Sequence, residues 1–423
     1  MKPKEESAAA AQSTKSTGIR EQLKMVSGPV YIAVMLFAMS TWIAIGGIWV
    51  EMPLLVNTLP ESWNLPSYLV IIIQCANLGP ATYAIWDKMR RRKPNNERQQ
   101  QQQQQHARID TEVVVSLIIL FTTILSMLLL SLFWDRTAMI ASENRSVALL
   151  ILVFLASLSC CTSSVVFLPY MARFRSVYIS AFYLGMGLSG LVPGLLGLVQ
   201  VAELQPQCRN EPDINDTVTN TVLNVTIIGV VHYSSRRFSV SAFFVLITVL
   251  LCVSAAAFCC LNFAQKCRGE MTASDDLAEI ASAIRPTELT DLESREYPGN
   301  DVIQSENIVT DRTHVIRQRR RFLSLLVTIF IISALWNGVM PSTQSYTCLP
   351  YGNIVYKLSV SMSSIVSPLA ALPDMVAPTS SLPLINGLSM VASVIGSFRL
   401  FLAAQSPHPI LQGSVVGQVI VVS

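Results

Sequence analysis

The sequence PVYIAVMLFAMSTWIAIGGIWV at residues 29–50 is long and apolar, and it ends in Glu51, Met52 and Pro53. A helix needs about 20 apolar residues to cross about 30 Å of hydrocarbon, so this stretch is predicted to span a membrane. A fainter copy of its ending, WNGVMP at residues 336–341, closes a second apolar run. Gly and Pro interrupt a helix, and inside a membrane the interrupted backbone needs protein or a water-filled cavity around it. Two such segments at corresponding places in two halves indicate the binding site of a transporter.

The composition of the 423 residues is that of a membrane protein. Hydrophobic residues make up 51% and charged residues 13%, against roughly 25% charged residues in soluble domains. The formal charge of +3 is too small to indicate a nucleic-acid partner. No HExxH, CxxC or GxxxxGK[ST] pattern occurs, so we expect no metal, no cofactor and no catalytic residues. The protein is predicted not to be an enzyme.

The apolar runs predict an all-α polytopic membrane protein with two helical halves and about ten spans. Six spans separate the first helix of one half from that of the other, so the halves would be parallel repeats. The predicted segments are a cytoplasmic tail (1–28), a six-helix half (29–263), a cytoplasmic and largely disordered loop (264–321) and a second half (322–423). The predicted spans lie near residues 29–50, 67–86, 113–134, 147–168, 177–200, 239–263, 322–340, 354–374 and 384–404.

The tenth apolar run is incomplete. It starts at Gly413 and stops at Ser423, and about 11 residues give only about 16 Å of helix. Such a helix cannot cross a bilayer. Either the chain is truncated within its last span, which is the expectation favoured here, or its last segment is a partial helix.

Two features orient the predicted helices with the N-terminus in the cytoplasm. The sequons at Asn144, Asn215 and Asn224 all fall on the opposite side, where glycosylation can occur. A single sequon often arises by chance, but all three agree. Basic residues cluster on the N-terminal side, as the positive-inside rule requires. They are Lys88, Arg90, Arg91, Arg92, Lys93, Arg173, Arg175, Lys266, Arg268, Arg317, Arg319, Arg320 and Arg321.

Two loop features complete this topology. The run Gln99–Gln105, within the loop 87–112, has no apolar surface to bury and is predicted to be disordered. Of the nine Cys residues, Cys208 and Cys348 fall in outer loops, where oxidation is permitted. They are candidates for a disulfide between the halves.

Polar and aromatic residues of the spans are candidates to bind a ligand. Glu51 could contact the ligand or couple protons, because acids at membrane depth usually have a function; it could also be a solvated residue at a helix end. Asn77 and Asn337 could hydrogen-bond an uncharged ligand or hold the bundle together. Trp49 and Tyr183 could stack on a flat ring or anchor the helices at the membrane interface.

Several sequence blocks resemble the eukaryotic riboflavin transporters. GIWVEMP at 47–53, followed by LPESWNLPSY at 59–68, is similar to the first outer loop of that family. The similar blocks keep their order from about residue 29 to the end of the chain. The other blocks are NLG at 77–79, CCTS at 160–163, FLPY at 167–170, FYLGMGLS at 182–189, NGVMPSTQS at 337–345 and CLPYG at 348–352.

The resemblance implies a multi-pass plasma-membrane carrier for riboflavin, with eleven helices and a cytoplasmic N-terminus. Riboflavin is neutral, flat at one end and polyhydroxylated at the other, so its site needs aromatic faces, amides and hydroxyls. The family usually has Asn where Gly46 stands, and commonly Asn and Thr where Ser164 and Val166 stand, which alters hydrogen-bonding groups at expected cavity positions. The predicted riboflavin-binding residues are Trp49, Glu51, Asn77, Phe167, Tyr183, Asn337 and Gln344.

The predicted function is cellular uptake of riboflavin by alternating access, with riboflavin and the lipid bilayer as partners. Two other functions stay open. One is a carrier for another flat neutral solute such as a nucleoside, which competition between flavins and nucleosides would separate. The other is a non-transporting surface receptor or truncated isoform, which would bind without uptake.

Overall fold

The computed structural model describes residues 27–91, 98–140, 142–200, 206–209, 230–233, 237–270, 320, 322–376 and 382–422. These residues are predominantly helical and contain two short hairpins. The predicted all-α polytopic class is therefore confirmed. Most of the tail 1–28 and of the loop 264–321 lies outside the described residues, as do Asn215 and Asn224. The parallel-repeat relation between the halves stays a prediction.

The N-terminal half (residues 27–270) contains most of the described helices. They are α1 (Gly28–Met39), α2 (Ile43–Thr58), α3 (Leu65–Ala76), α4 (Leu78–Arg91), α5 (Arg98–Phe133), α6 (Val147–Met171), α7 (Ser176–Gln200), α8 (Val240–Phe263) and α9 (Gln265–Arg268), with a 3₁₀ turn at Ser62–Asn64. The antiparallel hairpins pair β1 (Ala138–Ile140) with β2 (Glu143–Arg145), and β3 (Pro206–Arg209) with β4 (Val230–Tyr233).

The C-terminal half (residues 322–422) begins with α10 (322–334), which runs into a π-helical turn at Leu335–Val339. The remaining elements are α11 (Met340–Cys348), a 3₁₀ turn (Leu349–Tyr351), α12 (Asn353–Val376), α13 (Leu382–Ala404) and α14 (Val415–Val422).

Seven helical segments among the described residues are long and apolar enough to cross a membrane, and the bent pair α1 and α2 would make an eighth. They agree with the predicted second to seventh spans and with the ninth. The predicted eighth span, α12, is not among them. The seven are Ser62–Met89, Thr111–Phe133, Val147–Met171, Val177–Gln200, Val240–Phe263, Phe322–Tyr351 and Leu384–Ala404.

The first predicted span is broken in its middle rather than at its end. Helices α1 and α2 meet at 51°, with the break at residues 40–42. The Ser40 hydroxyl donates to the Phe37 carbonyl (2.7 Å) and the Thr41 hydroxyl to the Ala38 carbonyl (2.8 Å). Such side-chain bonds compete with the helical hydrogen bonds of the backbone. A Ser-Thr pair therefore accompanies the bend.

The predicted interruption at residues 47–53 is wrong, because α2 continues through Pro53 to Thr58. Proline removes one helical donor, and the surrounding helix tolerates this loss. The Pro53 carbonyl itself accepts a hydrogen bond from the Asn57 side chain (2.6 Å). The second interruption, at residues 336–341, is confirmed by the π-helical turn at Leu335–Val339.

The glutamine run is helical rather than disordered. Helix α5 begins at Arg98 and carries Gln99–Gln105 on the same continuous backbone as the apolar segment Thr111–Phe133. Gln is a good helix former, and a helix already nucleated in the membrane can extend at low cost. The prediction of disorder considered only that the run has no apolar surface to bury, and not the helix propensity of Gln.

Two buried clusters hold the helices together. The larger surrounds α2 and α8 and reaches the C-terminal half, with Phe243 and Tyr356 among its fully buried members. The smaller is aromatic: the Phe37 ring lies 4.6 Å from that of Phe167 and 4.8 Å from that of Phe258, between centroids. Both clusters consist mainly of N-terminal-half residues, which therefore form a packed support for the cavity described below.

Glycines let α7 approach its neighbours closely. A Cβ at Gly197 would lie 2.3 Å from Val50 Cγ1 and 3.2 Å from Ser361 Oγ, and one at Gly185 would lie 2.2 Å from the Met35 carbonyl oxygen. Small residues allow this kind of tight helix contact in membranes. Through Gly197, α7 brings α2 and α12 together and so joins the two halves.

Candidate functional site

A cavity of about 830 Å³ lies between the two halves and is called here the first compartment. The bend before α2, the helix α2, the middle of α7, the π-helical turn and α12 all contribute to its wall. Volumes of about 300–1,000 Å³ are typical of small-molecule sites. The lining side chains that carry rings or polar groups belong to Trp42, Trp49, Tyr183, Ser189, Trp336, Asn337, Gln344, Ser363 and Ser364.

A second compartment of about 820 Å³ adjoins the first. The two are adjacent because Trp42, Trp49 and Asn337 line both. The second compartment extends toward α3, α6 and α10. Its further polar and aromatic lining residues are Gln74, Asn77, Cys161, Phe330 and Ser333.

A chain of amide hydrogen bonds crosses between the halves along the second compartment. The Gln74 side chain donates from Nε2 to the Asn337 carbonyl (3.2 Å) and accepts at Oε1 from Asn77 Nδ2 (3.1 Å). Because the donated and accepted bonds use opposite ends of the Gln74 amide, its orientation is fixed. Gln74 thereby links the start of α4 to the π-helical turn.

Pro341 explains why the Asn337 carbonyl is available to Gln74. Proline has no N–H and cannot donate to the carbonyl four residues earlier, which for Pro341 is the carbonyl of Asn337. The π-helical turn widens the helix at the same place, and such turns often occur at functional sites. A side chain of the N-terminal half supplies the donor that the helix of the C-terminal half lacks.

Five of the seven predicted ligand-binding residues line the compartments. Trp49 and Asn337 face both, Asn77 faces the second, and Tyr183 and Gln344 face the first. They come from separate regions of the chain, and the fold brings them together around the interface between the halves. Their role in binding stays a prediction.

Glu51 and Phe167 are not among the lining residues. Glu51 is 0% exposed within α2, and it follows Trp49 by two residues, about 200° around the helix. It therefore points away from the face that carries Trp49. Phe167 is buried in the smaller core cluster beside Phe37. A core aromatic residue cannot be distinguished from a ligand-stacking one by type alone.

The sequence reasoning missed Trp42, Ser363 and Ser364, which also line the cavity. Trp42 directly follows the Ser-Thr pair at the bend, and that pair inside an apolar run could have indicated it. Of the three positions where the family has other residues, Gly46 lines both compartments. Val166 is fully buried in the smaller core cluster, so it is not a cavity position.

Side chains from both halves meet at one end of the cavity, called here the closed end. Ser345 donates to the Trp63 carbonyl (2.6 Å), and the Tyr346 hydroxyl donates to Asn64 Oδ1 (2.5 Å). The rings of Trp63 and Tyr346 also pack edge to face, 5.7 Å between centroids. Two further contacts are Ser67 Oγ to the Ser342 carbonyl (2.9 Å) and Asn57 Nδ2 to Asn353 Oδ1 (3.1 Å).

Farther from the closed end, the wall of the cavity is exposed. Phe330 and Leu369, which line it, are 73% and 50% exposed. Leu369 lies about 24 Å along α12 from Asn353 at the closed end. The two halves are therefore joined at one end of the cavity, and its wall is exposed toward the other.

A buried lysine adds a charged contact between the halves near the closed end. Lys357 of α12 is 5% exposed, and its ammonium donates a hydrogen bond to Oε1 of Gln200, the last residue of α7. The Gln200 amide also lies 3.4 Å from the Phe238 carbonyl, to which it donates. A buried ammonium is costly unless hydrogen-bonded, so this contact favours the joined arrangement.

The loop after α2 is fixed to α6 and to the first hairpin. The Glu61 carboxylate accepts from the Ser146 backbone N–H (2.6 Å) and hydroxyl (2.8 Å) at the N-terminus of α6, where negative charge is favourable. Arg145 donates to the Tyr68 hydroxyl (3.0 Å), and this hydrogen bond raises the pKa of Arg145. Asn144 is exposed on the same hairpin, as a glycosylation site requires.

The predicted disulfide between Cys208 and Cys348 stays a prediction. Cys348 is a free, fully buried thiol at the end of α11, enclosed by the larger core cluster. The Cys208 side chain lies outside the described residues. The described residues also contain no group of three or more His, Cys, Asp or Glu side chains that could hold a metal ion.

Comparison with known proteins gives consistent matches over nearly the whole chain. The profile of solute carrier family 52, riboflavin transporter, matches residues 27–423. The chain is 33% identical over 406 residues to solute carrier family 52, riboflavin transporter, member 3-A of Danio rerio, covering 93% of this chain and 84% of the relative. Member 3 of Homo sapiens is 32% identical over 421 residues, covering 93% of this chain and 85% of the relative. Member 2 of Papio hamadryas is 34% identical over 399 residues, covering 93% of this chain and 82% of the relative.

Proposed function

The chain belongs to solute carrier family 52, the riboflavin transporters, and on that premise we propose that it carries riboflavin into cells across the plasma membrane by alternating access. As a member of a solute carrier family it is not an enzyme. The relatives named above are riboflavin transporters, and the family membership supports the same substrate for this chain.

The observation that carries this proposal is the cavity between the halves. Tryptophan and tyrosine rings supply flat apolar faces, and Asn, Gln and Ser side chains supply hydrogen bonds without formal charge. Riboflavin has a flat ring system, a hydroxylated chain and no net charge near neutral pH, so the lining matches it in kind. A charged solute would require opposite charges in the wall.

The position of the closed end indicates the side of the membrane on which the cavity would be closed. If the N-terminus is cytoplasmic, as the basic loops predict, the turn between α2 and α3 lies outside the cell. The contacts of Trp63, Asn64 and Asn57 would then close the cavity toward the outside, and the exposed wall around Leu369 would lie toward the cytoplasm. This arrangement corresponds to the inward-facing state of a carrier, from which substrate is released.

The test is uptake of labelled riboflavin into cells that express this chain. We expect uptake above that of control cells, inhibited by unlabelled riboflavin and by lumiflavin but not by nucleosides. Asn337→Ala and Trp49→Ala should each lower uptake, because each removes a cavity-lining group. Gln418→Ala, which removes an exposed amide on α14, should leave it unchanged. Chain on the cell surface without riboflavin-inhibitable uptake would overturn the proposal.

A further inference from the structure

Asn77 offers a ligand both a donor and an acceptor from one fixed amide. An asparagine side chain has two N–H groups and a carbonyl oxygen with two lone pairs. One N–H of Asn77 is donated to Gln74. The second N–H and the Oδ1 atom point away from that bond and belong to a residue that lines the second compartment.

Gln74 holds the amide of Asn77 in place. Gln74 bonds to the Asn337 carbonyl on one side and to Asn77 on the other, so rotation of either amide would break a hydrogen bond. A preorganised amide loses less entropy when a ligand binds than a mobile one does. Gln74 is in this sense a positioning residue for Asn77.

The flavin ring carries a group that matches this amide. The pyrimidine part of isoalloxazine ends in an imide, in which an N–H lies between two carbonyl groups. An amide side chain and an imide form two parallel hydrogen bonds: the imide N–H donates to Oδ1, and one imide carbonyl accepts from Nδ2. The same paired geometry lets Asn and Gln bind base edges in nucleic acids.

The two compartments differ in the groups that would surround the two ends of riboflavin. The second has the amides of Gln74 and Asn77, with Trp42 and Trp49 available for the ring faces. The first has the hydroxyls of Ser189, Ser363 and Ser364 beside the amides of Asn337 and Gln344, and hydroxyls and amides both hydrogen-bond the hydroxyls of a ribityl chain.

We propose that Asn77 binds the imide edge of the flavin ring in the second compartment, and that the ribityl chain extends into the first. This inference rests on the proposed function and specifies how the substrate lies in the site. It assigns ring recognition to Asn77 and recognition of the hydroxylated chain to residues such as Ser363.

The experiment measures dissociation constants of three flavins with the purified full chain in detergent, from the quenching of flavin fluorescence. The ligands are riboflavin, lumiflavin, which lacks the ribityl chain, and N3-methyl-lumiflavin, in which the imide N–H is blocked. For the wild type we expect the N3-methyl compound to bind about 3- to 10-fold more weakly than lumiflavin, the effect of losing one or two net hydrogen bonds.

Asn77→Ala should weaken the binding of riboflavin and lumiflavin by about 3- to 10-fold and leave that of the N3-methyl compound unchanged. The methyl group replaces the imide N–H and its bulk keeps the Asn77 amide away from the imide carbonyl, so both bonds that Asn77→Ala removes are already absent there. Ser363→Ala should weaken the binding of riboflavin alone. Gln418→Ala should change none of the three dissociation constants. Unchanged binding of the N3-methyl compound by Asn77→Ala also shows that this variant is folded.

The proposal is overturned if Asn77→Ala weakens the binding of lumiflavin and of its N3-methyl derivative equally, or weakens the binding of neither. If Asn77→Ala does not fold, Gln74→Leu is measured in its place. Because it removes the bond that positions Asn77, it should weaken the binding of riboflavin and lumiflavin, by less than Asn77→Ala, and leave that of the N3-methyl compound unchanged. The ribityl assignment fails if Ser363→Ala affects riboflavin and lumiflavin alike. If the wild type binds no flavin, the proposed function itself fails.

Discussion

Trp49 and Glu51 belong to one sequence motif but occupy different environments. Trp49 lines both compartments, while Glu51 is fully buried in α2 and is not among the lining residues. Two positions along a helix differ by about 200° in direction, so neighbours in a motif need not share a site. The ligand-contact role expected for Glu51 has no support in the cavity geometry. Its proton-coupling role stays a prediction.

Glu51→Gln separates these two roles, because it removes the charge and nearly preserves the shape. We expect the dissociation constant of riboflavin to stay within about twofold of wild type, since no cavity contact is altered. Asn337→Ala, in contrast, should raise it. Uptake by Glu51→Gln across the acidic to neutral range then tests proton coupling. A loss of affinity as large as that of Asn337→Ala would show that Glu51 contacts the ligand.

At the scale of elements, two irregular helices shape the cavity in different ways. The bend between α1 and α2 places Trp42 at the cavity wall, with hydroxyls of Ser40 and Thr41 bonded to the preceding turn. The π-helical turn before α11 presents the Asn337 carbonyl to Gln74. Each irregularity exposes backbone or a ring where a regular helix would not.

Pro341→Ala tests the second irregularity. Alanine restores an N–H that can donate to the Asn337 carbonyl and so competes with Gln74. We expect riboflavin affinity to fall by about 3- to 10-fold, with no loss of thermal stability because alanine is a better helix former. Pro169→Ala, in the last turn of α6, is the matched control and should leave affinity unchanged. Equal affinity in the two variants would contradict a role for the Pro341 turn.

At the scale of the whole molecule, contacts at the closed end decide which side of the cavity is accessible. Hydrogen bonds from Ser345, Tyr346 and Asn57 join the halves there. Lys357 adds a charged donor to Gln200. Because a carrier must open this end in each cycle, the strength of these contacts should set the balance between its two states.

Lys357→Met tests this balance, since methionine keeps much of the length and removes the ammonium. The reporter is Ser363→Cys in the first compartment, labelled in intact cells with a membrane-impermeant thiol reagent. We expect labelling several-fold faster with Lys357→Met, because the charge-assisted hydrogen bond to Gln200 that favours the closed end is lost. The chain without the reporter cysteine gives the background from native thiols.

Arg399→Met is the matched control for this experiment. Arg399 is also a cation, but it donates to the Val421 carbonyl (2.9 Å) and to Ser359 Oγ (3.3 Å), both within the C-terminal half. The chain that carries Arg399→Met and the Ser363→Cys reporter should be labelled at the same rate as the chain that carries the reporter alone. Equal rates for Lys357→Met and Arg399→Met would show that Lys357 does not hold the closed end.

The sequence predicted much of the fold because membrane spans are a property of composition and length. It also found five cavity-lining residues, since amides and aromatic rings in apolar runs are uncommon enough to stand out. It placed Phe167 in the site wrongly, because ring type does not show whether a ring faces a ligand or the core. The absence of apolar side chains predicted disorder for Gln99–Gln105, but this run is helical because Gln has a high helix propensity and the run is continuous with the apolar part of α5.

The sequence by itself determined that this protein is a helical membrane protein of the riboflavin transporter family, because apolar runs of membrane length and ordered motif blocks are local in the chain. The tertiary structure decided where α1 and α2 bend, that Glu51 lies away from the cavity, and that Gln74 bonds to the Asn337 carbonyl. These features depend on helix rotation and on contacts between residues far apart in the chain. Such contacts are fixed only when the two halves pack against each other.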